Sequence, residues 1–411
     1  MTQKQALKVL QSGHNVFLTG SAGTGKTFLL NKFIDHLKKS KKDVGVTAST
    51  GIAATHLAGR TIHSWAGIGI EKKLSKDEIK NRSMNTKIKN RIRKAEILII
   101  DEISMLDAMR LDLVDKMCRA VKNPAASFGG MQVVLCGDFF QLPPVEREAL
   151  FAYESSAWNE SNIRICYLDE QFRQEDKRFT EVLNNIRDNQ ASEDDLELLK
   201  TRLNKSIEQV TRPTKLYAHN ADVDAINAHE LAQLSSKPRA YYMQECGPMD
   251  LVNMLKRSCL APEKLELKVG AIVIFVKNNF NAGYVNGTLG KVVGFKKGHP
   301  IIETRDRNKI LAVPDKWNIE EGGEIMAYIE QIPLRLAWAI TIHKSQGMSL
   351  DVAEIDLSKS FTSGMGYVAL SRVRTLDGIR LMGINQLALR VDDRVVIKDK
   401  EFREASNKSI K

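Results

Sequence analysis

The sequence predicts an α/β fold. Two parallel-sheet domains stand in tandem, with a small basic insertion in the first and a small β-barrel insertion in the second. Three observations carry this reading. A strand, a glycine-rich loop and a helix follow one another across residues 16–39. Strand–helix alternation returns at Thr214 and again from Leu336 to Met382. Between these, from Leu265 to about Tyr328, the apolar runs shorten and turn residues separate them, which is the pattern of an antiparallel barrel rather than of a βα unit. The expected boundaries are 1–205 for the first domain, with its insertion at about 55–94, and 206–411 for the second, with its barrel at about 265–330.

The first domain opens with Val16-Phe17-Leu18, a buried strand running into Gly20-Ser21-Ala22-Gly23-Thr24-Gly25-Lys26-Thr27. That octapeptide fits G-x-x-x-x-G-K-[ST] in the strand–loop–helix context the motif requires. From Lys26 to about Lys39, Phe28, Leu29, Leu30, Phe33, Ile34 and Leu37 have helical spacing. Glycines let successive N–H groups converge on an anion, and the helix N-terminus adds positive potential. Lys26 would reach the β- and γ-phosphates of a nucleoside triphosphate, and the Thr27 hydroxyl would ligate magnesium.

Val44 to Thr47 is the second strand. After it, Ala48-Ser49-Thr50-Gly51-Ile52-Ala53-Ala54 either offers amides and hydroxyls to a phosphate or caps a helix; this stretch alone fits both. Residues 55–94 form an excursion punctuated by Gly59, Gly67 and Gly69, with a Ser75-x-x-Glu78 capping box. In its last part, Lys87 to Lys94, Ile88 and Ile92 share one helix face. From Glu71 to Lys94 ten Lys/Arg face three Asp/Glu, a net +7 of the chain's +11. That charge suits a polyanion, although a solvated basic helix has the same composition.

Ile97-Leu98-Ile99-Ile100 is a buried strand delivering Asp101 and Glu102 to its C-terminal end, where α/β sheets place ligand sites. Asp101 is placed to hold magnesium and Glu102 to orient or deprotonate the attacking water. A helix from Ala108 to Val121 leads to the strand Met131–Asp138 and then to Phe139-Phe140-Gln141-Leu142-Pro143-Pro144-Val145. Gln141 can sense a γ-phosphate, and a neighbouring aromatic can stack on a base, the Pro-Pro pair fixing the backbone. One of Phe139 and Phe140 is expected in the core. Asp169-Glu170-Gln171-Phe172-Arg173-Gln174 precedes a further helix, and rising polarity up to Arg212-Pro213 marks the domain boundary.

In the second domain, Thr214–Ala218 reads as a strand and Ala221–Leu234 as a helix. The barrel strands are Ala271–Val276, Gly290–Phe295 and Ile301–Thr304, with a turn at Asn286-Gly287. Leu336–Thr341 is a strand, followed by His343-Lys344-Ser345-Gln346-Gly347. Val352–Leu357 is another strand, Gly366-Tyr367-Val368-Ala369-Leu370-Ser371-Arg372 opens a helix, and Ile379–Met382 is the last strand.

The composition, 43% hydrophobic and 27% charged, is that of an ordinary globular protein. Five cysteines without metal spacing read as reduced thiols. No apolar run approaches the ~20 residues of a membrane span, and the N-terminus carries no secretory or transit signal. A cytoplasmic protein without a membrane partner is expected.

Taken together, these motifs resemble those of superfamily-one DNA helicases of the Pif type (petite integration frequency), related to the RecD and Dda helicases. The likeness runs from Gln3-x-x-Ala6-Leu7 and the glycine loop through Thr61-Ile62-His63-Ser64-Trp65, Phe128-Gly129-Gly130, the Pro-Pro segment and Phe172-Arg173-Gln174. It continues through Val285-Asn286-Gly287 and Thr341–Gly347 to Tyr367–Arg372. It implies two RecA-like domains with ATP and Mg2+ between them, Gln3 reading the adenine, and Gln141, Arg173 and Arg372 on the γ-phosphate. Gln346 and Gly347 would join the residues from Gly20 to Thr27 around the cofactor. For DNA it implies Thr50, Gly51, His63, one of Phe139 and Phe140, Asn286 and the His343, Lys344 and Ser345 loop.

The activity implied is ATP-driven 5′-to-3′ movement of a monomeric motor on single-stranded DNA and unwinding of forked or duplex DNA. G-quadruplexes and RNA–DNA hybrids are candidate substrates, and repair, recombination, replication and telomere maintenance are the family's settings. Many relatives carry Gly-Gln where this chain has Gly364-Met365-Gly366, so that glutamine's contact has no counterpart here. The short termini suggest a minimal motor of bacterial or phage type. His56, His219 and His299 read as structural. Two other readings use the same residues: a translocase that does not unwind, and a passive nucleic-acid-binding module with an inactive ATP site. A small-molecule kinase has no use for a second domain bearing Arg372.

Overall fold

In the computed structural model the first domain is a six-stranded, wholly parallel sheet. Its strands are β1 (Val16–Gly20), β2 (Val44–Ala48), β3 (Arg60–Thr61), β4 (Ile97–Asp101), β5 (Gln132–Cys136) and β6 (Arg164–Leu168), in the order β3-β2-β4-β5-β1-β6. The structure describes all residues except 70, 145–148, 175, 206, 208–213, 218–222, 280, 322–323, 343–344 and 409–411, and the side chains of 258, 320 and 321. Val145, the Arg212-Pro213 boundary, His219, His343 and Lys344 therefore lie outside the described residues.

The local signals place their elements. The loop helix spans Lys26–Lys39 and buries Leu29, Leu30, Phe33, Ile34 and Leu37. Ser75 and Glu78 close a capping box on the helix Lys76–Met84. The basic helix Thr86–Lys94 buries Ile92, with Ile88 packed beside the same core. Part of its charge is structural: Arg82 donates to Gly67 O and Ile68 O, and Arg91 to Ser64 O and Trp65 O, closing the carbonyl end of the helix Ile62–Ala66.

A second parallel sheet orders its strands Ala339–Thr341, Thr214–Tyr217, Ala353–Leu357 and Ile379–Ile384. Between its first two strands in sequence lies the antiparallel insertion. Five strands order as Lys309–Leu311, His299–Thr304, Leu289–Lys296, Ile272–Phe275 and Leu334–Leu336. Three more are Asp315–Glu321, Glu324–Gln331 and Gln244–Cys246, and Arg239–Tyr242 pairs with Lys264–Leu267. Antiparallel pairing thus begins at Arg239, upstream of the expected Leu265. The apolar run Leu336–Thr341 is not one strand: Leu334–Leu336 pairs in the insertion and Ala339–Thr341 in the parallel sheet.

The helix Asp393–Lys408 returns to the first sheet and packs on β6. Phe402 joins Phe17, Phe139, Tyr153 and Trp158 in a cluster with ring centroids 4.8–6.2 Å apart. Ser406 Oγ accepts from the Tyr167 N–H at 3.0 Å.

Candidate active site between the two sheets

The glycine loop leaves β1 and enters its helix through Gly25, which has φ +77°. A Cβ there would lie 2.3 Å from Gln3 Nε2, which itself donates to Thr24 O at 3.1 Å. Gln3 therefore lies across the loop. Lys26 Nζ folds back onto Gly20 O (2.8 Å) and Ser21 O (3.0 Å). Burial holds its ammonium below the usual lysine range, with Asp138 and Glu102 working against that.

β4 ends in the two carboxylates. Asp101 is buried and accepts from the Glu102 N–H at 2.9 Å. Burial raises its pKa, partly offset by hydrogen bonds from the Cys136 thiol and the Glu102 amide. Glu102 takes a left-handed backbone, φ +51°, a conformation costing a non-glycine residue about 1–2 kcal/mol. Ser49 helps to hold it: Ser49 N–H donates to Asp101 O and Ser49 Oγ to Glu102 O. The turn aims the Glu102 carboxylate out of the strand, where it accepts from Gln346 Nε2 at 3.0 Å. Burial first, then Asp101, pushes Glu102 up to about 7. Thr27, Asp101, Glu102, Gln346 and Gly347 line one cavity of ≈ 200 Å³.

Opposite them stand the arginines. Arg372 Nη2 donates to Gln141 Oε1 at 3.2 Å and its Nε to Val368 O at 3.0 Å. Arg173 Nη1 donates to Ser371 O at 3.1 Å. Burial, then Arg372, pushes Arg173 down to about 9, and burial lowers Arg372. Among the described residues neither guanidinium forms an ion pair with an acid. Two cations without an ion-pair partner, Arg372 buried and Arg173 half-buried, facing a phosphate-type loop fit a triphosphate. Magnesium fits as well: Thr27 Oγ1 and the Asp101 carboxylate would hold it. No cluster of three His, Cys, Asp or Glu occurs among the described residues.

Sequence reasoning missed the groups that brace this cleft. Gln171 Nε2 donates to Ala22 O (2.9 Å) and Gln174 Nε2 to Ser371 O (3.1 Å), so one segment touches both jaws. Beneath it Arg187, 1% exposed, donates through Nη1 to both Asp138 oxygens (2.8 and 2.9 Å) and through Nη2 to Tyr167 Oη and Asp399. Asp138 is fully buried, yet Arg187 keeps it below the usual carboxylate range. Breaking such a pair by removing one partner costs about 3–5 kcal/mol. The sequence signals were the Asp169–Gln174 segment and the polar end of β5, neither of which named these partners.

The residues expected at DNA fare differently. Thr50 caps the helix Gly51–His56, accepting from the Ala53 N–H. His63 is half-buried, with burial and then Arg110 lowering its pKa. Phe139 and Phe140 are both core, 5% and 2% exposed. Phe139 sits inside the aromatic cluster, and the Arg187 guanidinium covers the Phe140 ring at 4.1 Å. A base-stacking role for either is therefore corrected. Ser345 is likewise buried, its hydroxyl donated to Ile342 O. Asn286 is buried with its Nδ2 3.3 Å from His56 Nε2, so His56 has a partner across the two halves. Both line the cavity that holds Thr27 and Glu102.

Comparison with known proteins finds relatives over nearly the whole chain. The PIF1-like helicase family profile matches residues 2–197, and the 2B domain of DNA helicase Pif1 matches residues 250–295. An ATP-dependent DNA helicase Pif1 of Psychrobacter is 41% identical over 99% of this chain and 71% of its own length. The Xenopus laevis relative of the same name is 38% identical over 96% of this chain; the chain spans 63% of its length. The Bacteroides Pif1 complex with ADP-AlF4 is 32% identical, covers 98% of this chain and 97% of its own, and superposes with a TM-score of 0.82. Bacteroides Pif1 bound to single-stranded DNA covers the same shares at 32% identity, with a TM-score of 0.64.

Proposed function

The chain belongs to the PIF1-like helicase family, and from that premise we propose a residue-level account of its activity. It is an ATP-dependent DNA helicase that acts on single-stranded and forked DNA. The observation that carries the account is the pair Arg173, half-buried, and Arg372, buried, without acidic ion-pair partners among the described residues and facing the loop and Glu102 across the cleft.

The ATP triphosphate lies along Gly20–Thr27, with Gln3 on the adenine. Lys26 exchanges its contacts with Gly20 O and Ser21 O for phosphate oxygens. Glu102 orients the attacking water and takes its proton. Gln141, Arg173 and Arg372 hold the γ-phosphate. Thr27 and Asp101 would hold magnesium, which would supply positive charge against that on the phosphates. When the γ-phosphate leaves, the two arginines lose the anion they gripped and the cleft relaxes. Repeated closing and opening advances the motor 5′-to-3′ along a strand that runs past Thr50, Gly51, His63 and Asn286.

The two-domain division at 205/206 belongs to this reading, with the helix Asp393–Lys408 riding on the first domain. So does a cytoplasmic setting of bacterial type, supported by the Psychrobacter relative; no helix among the described residues is long and apolar enough to cross a membrane.

ATP turnover measured with and without a single-stranded oligonucleotide tests this. Stimulation is expected, and turnover indifferent to DNA overturns it. Duplexes with a 5′ or a 3′ tail then test direction and separate unwinding from bare translocation.

A further inference from the structure

The helix Met365–Leu370 does more than lead to Arg372. Tyr367 is 2% exposed, and its hydroxyl is placed inside the opposite jaw. It accepts from the Ala22 N–H of the glycine loop at 3.0 Å. It also accepts from Arg187 Nη1 at 3.2 Å, and its own proton points to Asp138 Oδ2 at 3.5 Å. Asp138 in turn accepts from Gln141 Nε2 at 3.3 Å, and Gln141 Oε1 takes Arg372 Nη2. The circuit closes. The loop touches Tyr367, Tyr367 and Gln141 meet on Asp138, and Gln141 meets Arg372, which lies on the segment that carries Tyr367.

A phenol hydroxyl has one proton to give and two lone pairs to accept with. Here all three are used, and one links the second half's arginine segment directly to the backbone that cradles phosphates. The segment packs without slack on its other side too: a Cβ on Gly366 would lie 2.0 Å from Ala388 O. A small shift of the loop is therefore handed to Arg372 and Gln141 instead of being absorbed by loose packing.

We infer that Tyr367 is a positioning residue of the ATPase: its hydroxyl fixes the glycine loop at Ala22 in register with Gln141 and Arg372, so that occupation of the loop and the grip on the γ-phosphate are set together. This rests on the functional reading above. It predicts that Tyr367 serves the γ-phosphate far more than the rest of the nucleotide, since Lys26 and the loop amides hold the β-phosphate without it.

Tyr367→Phe keeps the ring and removes the hydroxyl. DNA-stimulated kcat is expected to fall roughly tenfold or more, with KM for ATP changing less than about threefold. Equilibrium binding gives a second readout: the variant should hold ADP as the wild type does and lose about tenfold in its preference for ADP-AlF4 over ADP. Wild-type kcat together with an unchanged preference overturns the inference, and so does an equal loss of affinity for both nucleotides, which marks a merely structural tyrosine. Should Tyr367→Phe be less stable, both readouts are taken well below its thermal midpoint, and absence of the selective loss there overturns the inference. The wild type run alongside separates the two claims. A wild type without ATPase activity sinks the functional reading, whereas an active wild type matched by Tyr367→Phe sinks only this inference.

Discussion

The nucleotide cleft and the side of the molecule expected to meet DNA are built on opposite rules. In the cleft the polar groups that would do the chemistry are buried or half-buried and held by fixed partners. Lys26 rests on loop carbonyls, Glu102 on Gln346, Arg372 on Gln141, and Arg187 on Asp138. On the other side the expected contacts are capped, half-buried or turned inward, as Thr50, His63 and Ser345 are. Exposed charge, at Lys76, Lys80, Lys87, Arg93 and Lys94 among others, is what that surface offers outright. Chemistry at a fixed atom needs preorganised groups, whose worth comes from low dielectric and fixed geometry. Sequence-blind attraction to a phosphate backbone needs only mobile charge near the surface.

The largest effects should therefore come from the cleft. Lys26→Ala should cut ATP turnover by roughly two to three orders of magnitude while leaving affinity for single-stranded DNA within about threefold of wild type. Steady-state ATPase and fluorescence anisotropy measure the two. Joint loss of both would break the comparison, because it would mean the two regions share their binding groups. Arg372→Lys keeps the charge and loses the fork that bonds Val368 O and Gln141. About a hundredfold loss in kcat is expected with an unchanged thermal midpoint; a loss below threefold would remove Arg372 from the γ-phosphate.

The same contrast governs what could be read without a structure. The glycine loop, its helix from Lys26 to Lys39 and the Ser75–Glu78 box rest on residues a few positions apart, and the sequence carries such signals in full. Asp101 and Glu102 were legible because a buried strand can end in two acids for few other reasons. Arg187 was not, since its partners Asp138, Tyr167, Tyr367 and Asp399 come from four separate elements. Nor did Leu336–Thr341 reveal its break at residues 337–338, because an apolar run does not record which sheet each half joins. Phe139 and Phe140 misled for a related reason. Aromatic character serves a base and a core equally, and only the neighbouring Phe402 and Arg187 decide between them.

A smaller effect lies where the two regions touch. His56 sits at the contact between the helix Gly51–His56 and the insertion, and burial pushes its pKa down to about 4 from 6.5. The sign follows from proton uptake. Between these values the unfolded chain binds a proton that the folded protein refuses, so stability is whole above pH 6.5 and is lost as the pH falls toward 4. From pH 7 to pH 5 the wild type should lose about 2 kcal/mol more than His56→Gln, seen as a narrowing gap between their denaturation midpoints. A constant gap would mean that the His56 ring meets water in solution and that this contact is open.

The smallest effect concerns the surface charge. Arg82 and Arg91 are committed to the carbonyls of residues 64–68, so the basic segment has fewer cations for a polyanion than its composition implies. Lys87, Arg93 and Lys94 are exposed. Replacing all three with Gln should lower the slope of log affinity against log salt by at most about 2, since each phosphate contact on a single strand releases roughly 0.7 of a counterion. ATP turnover at saturating DNA should stay at the wild-type rate. An unchanged slope would assign these side chains to solvent and shift the DNA contact toward the cavity between Thr50 and Asn286. A drop in saturated turnover would instead tie this surface to the cleft and erase the distinction between mobile charge and fixed chemistry.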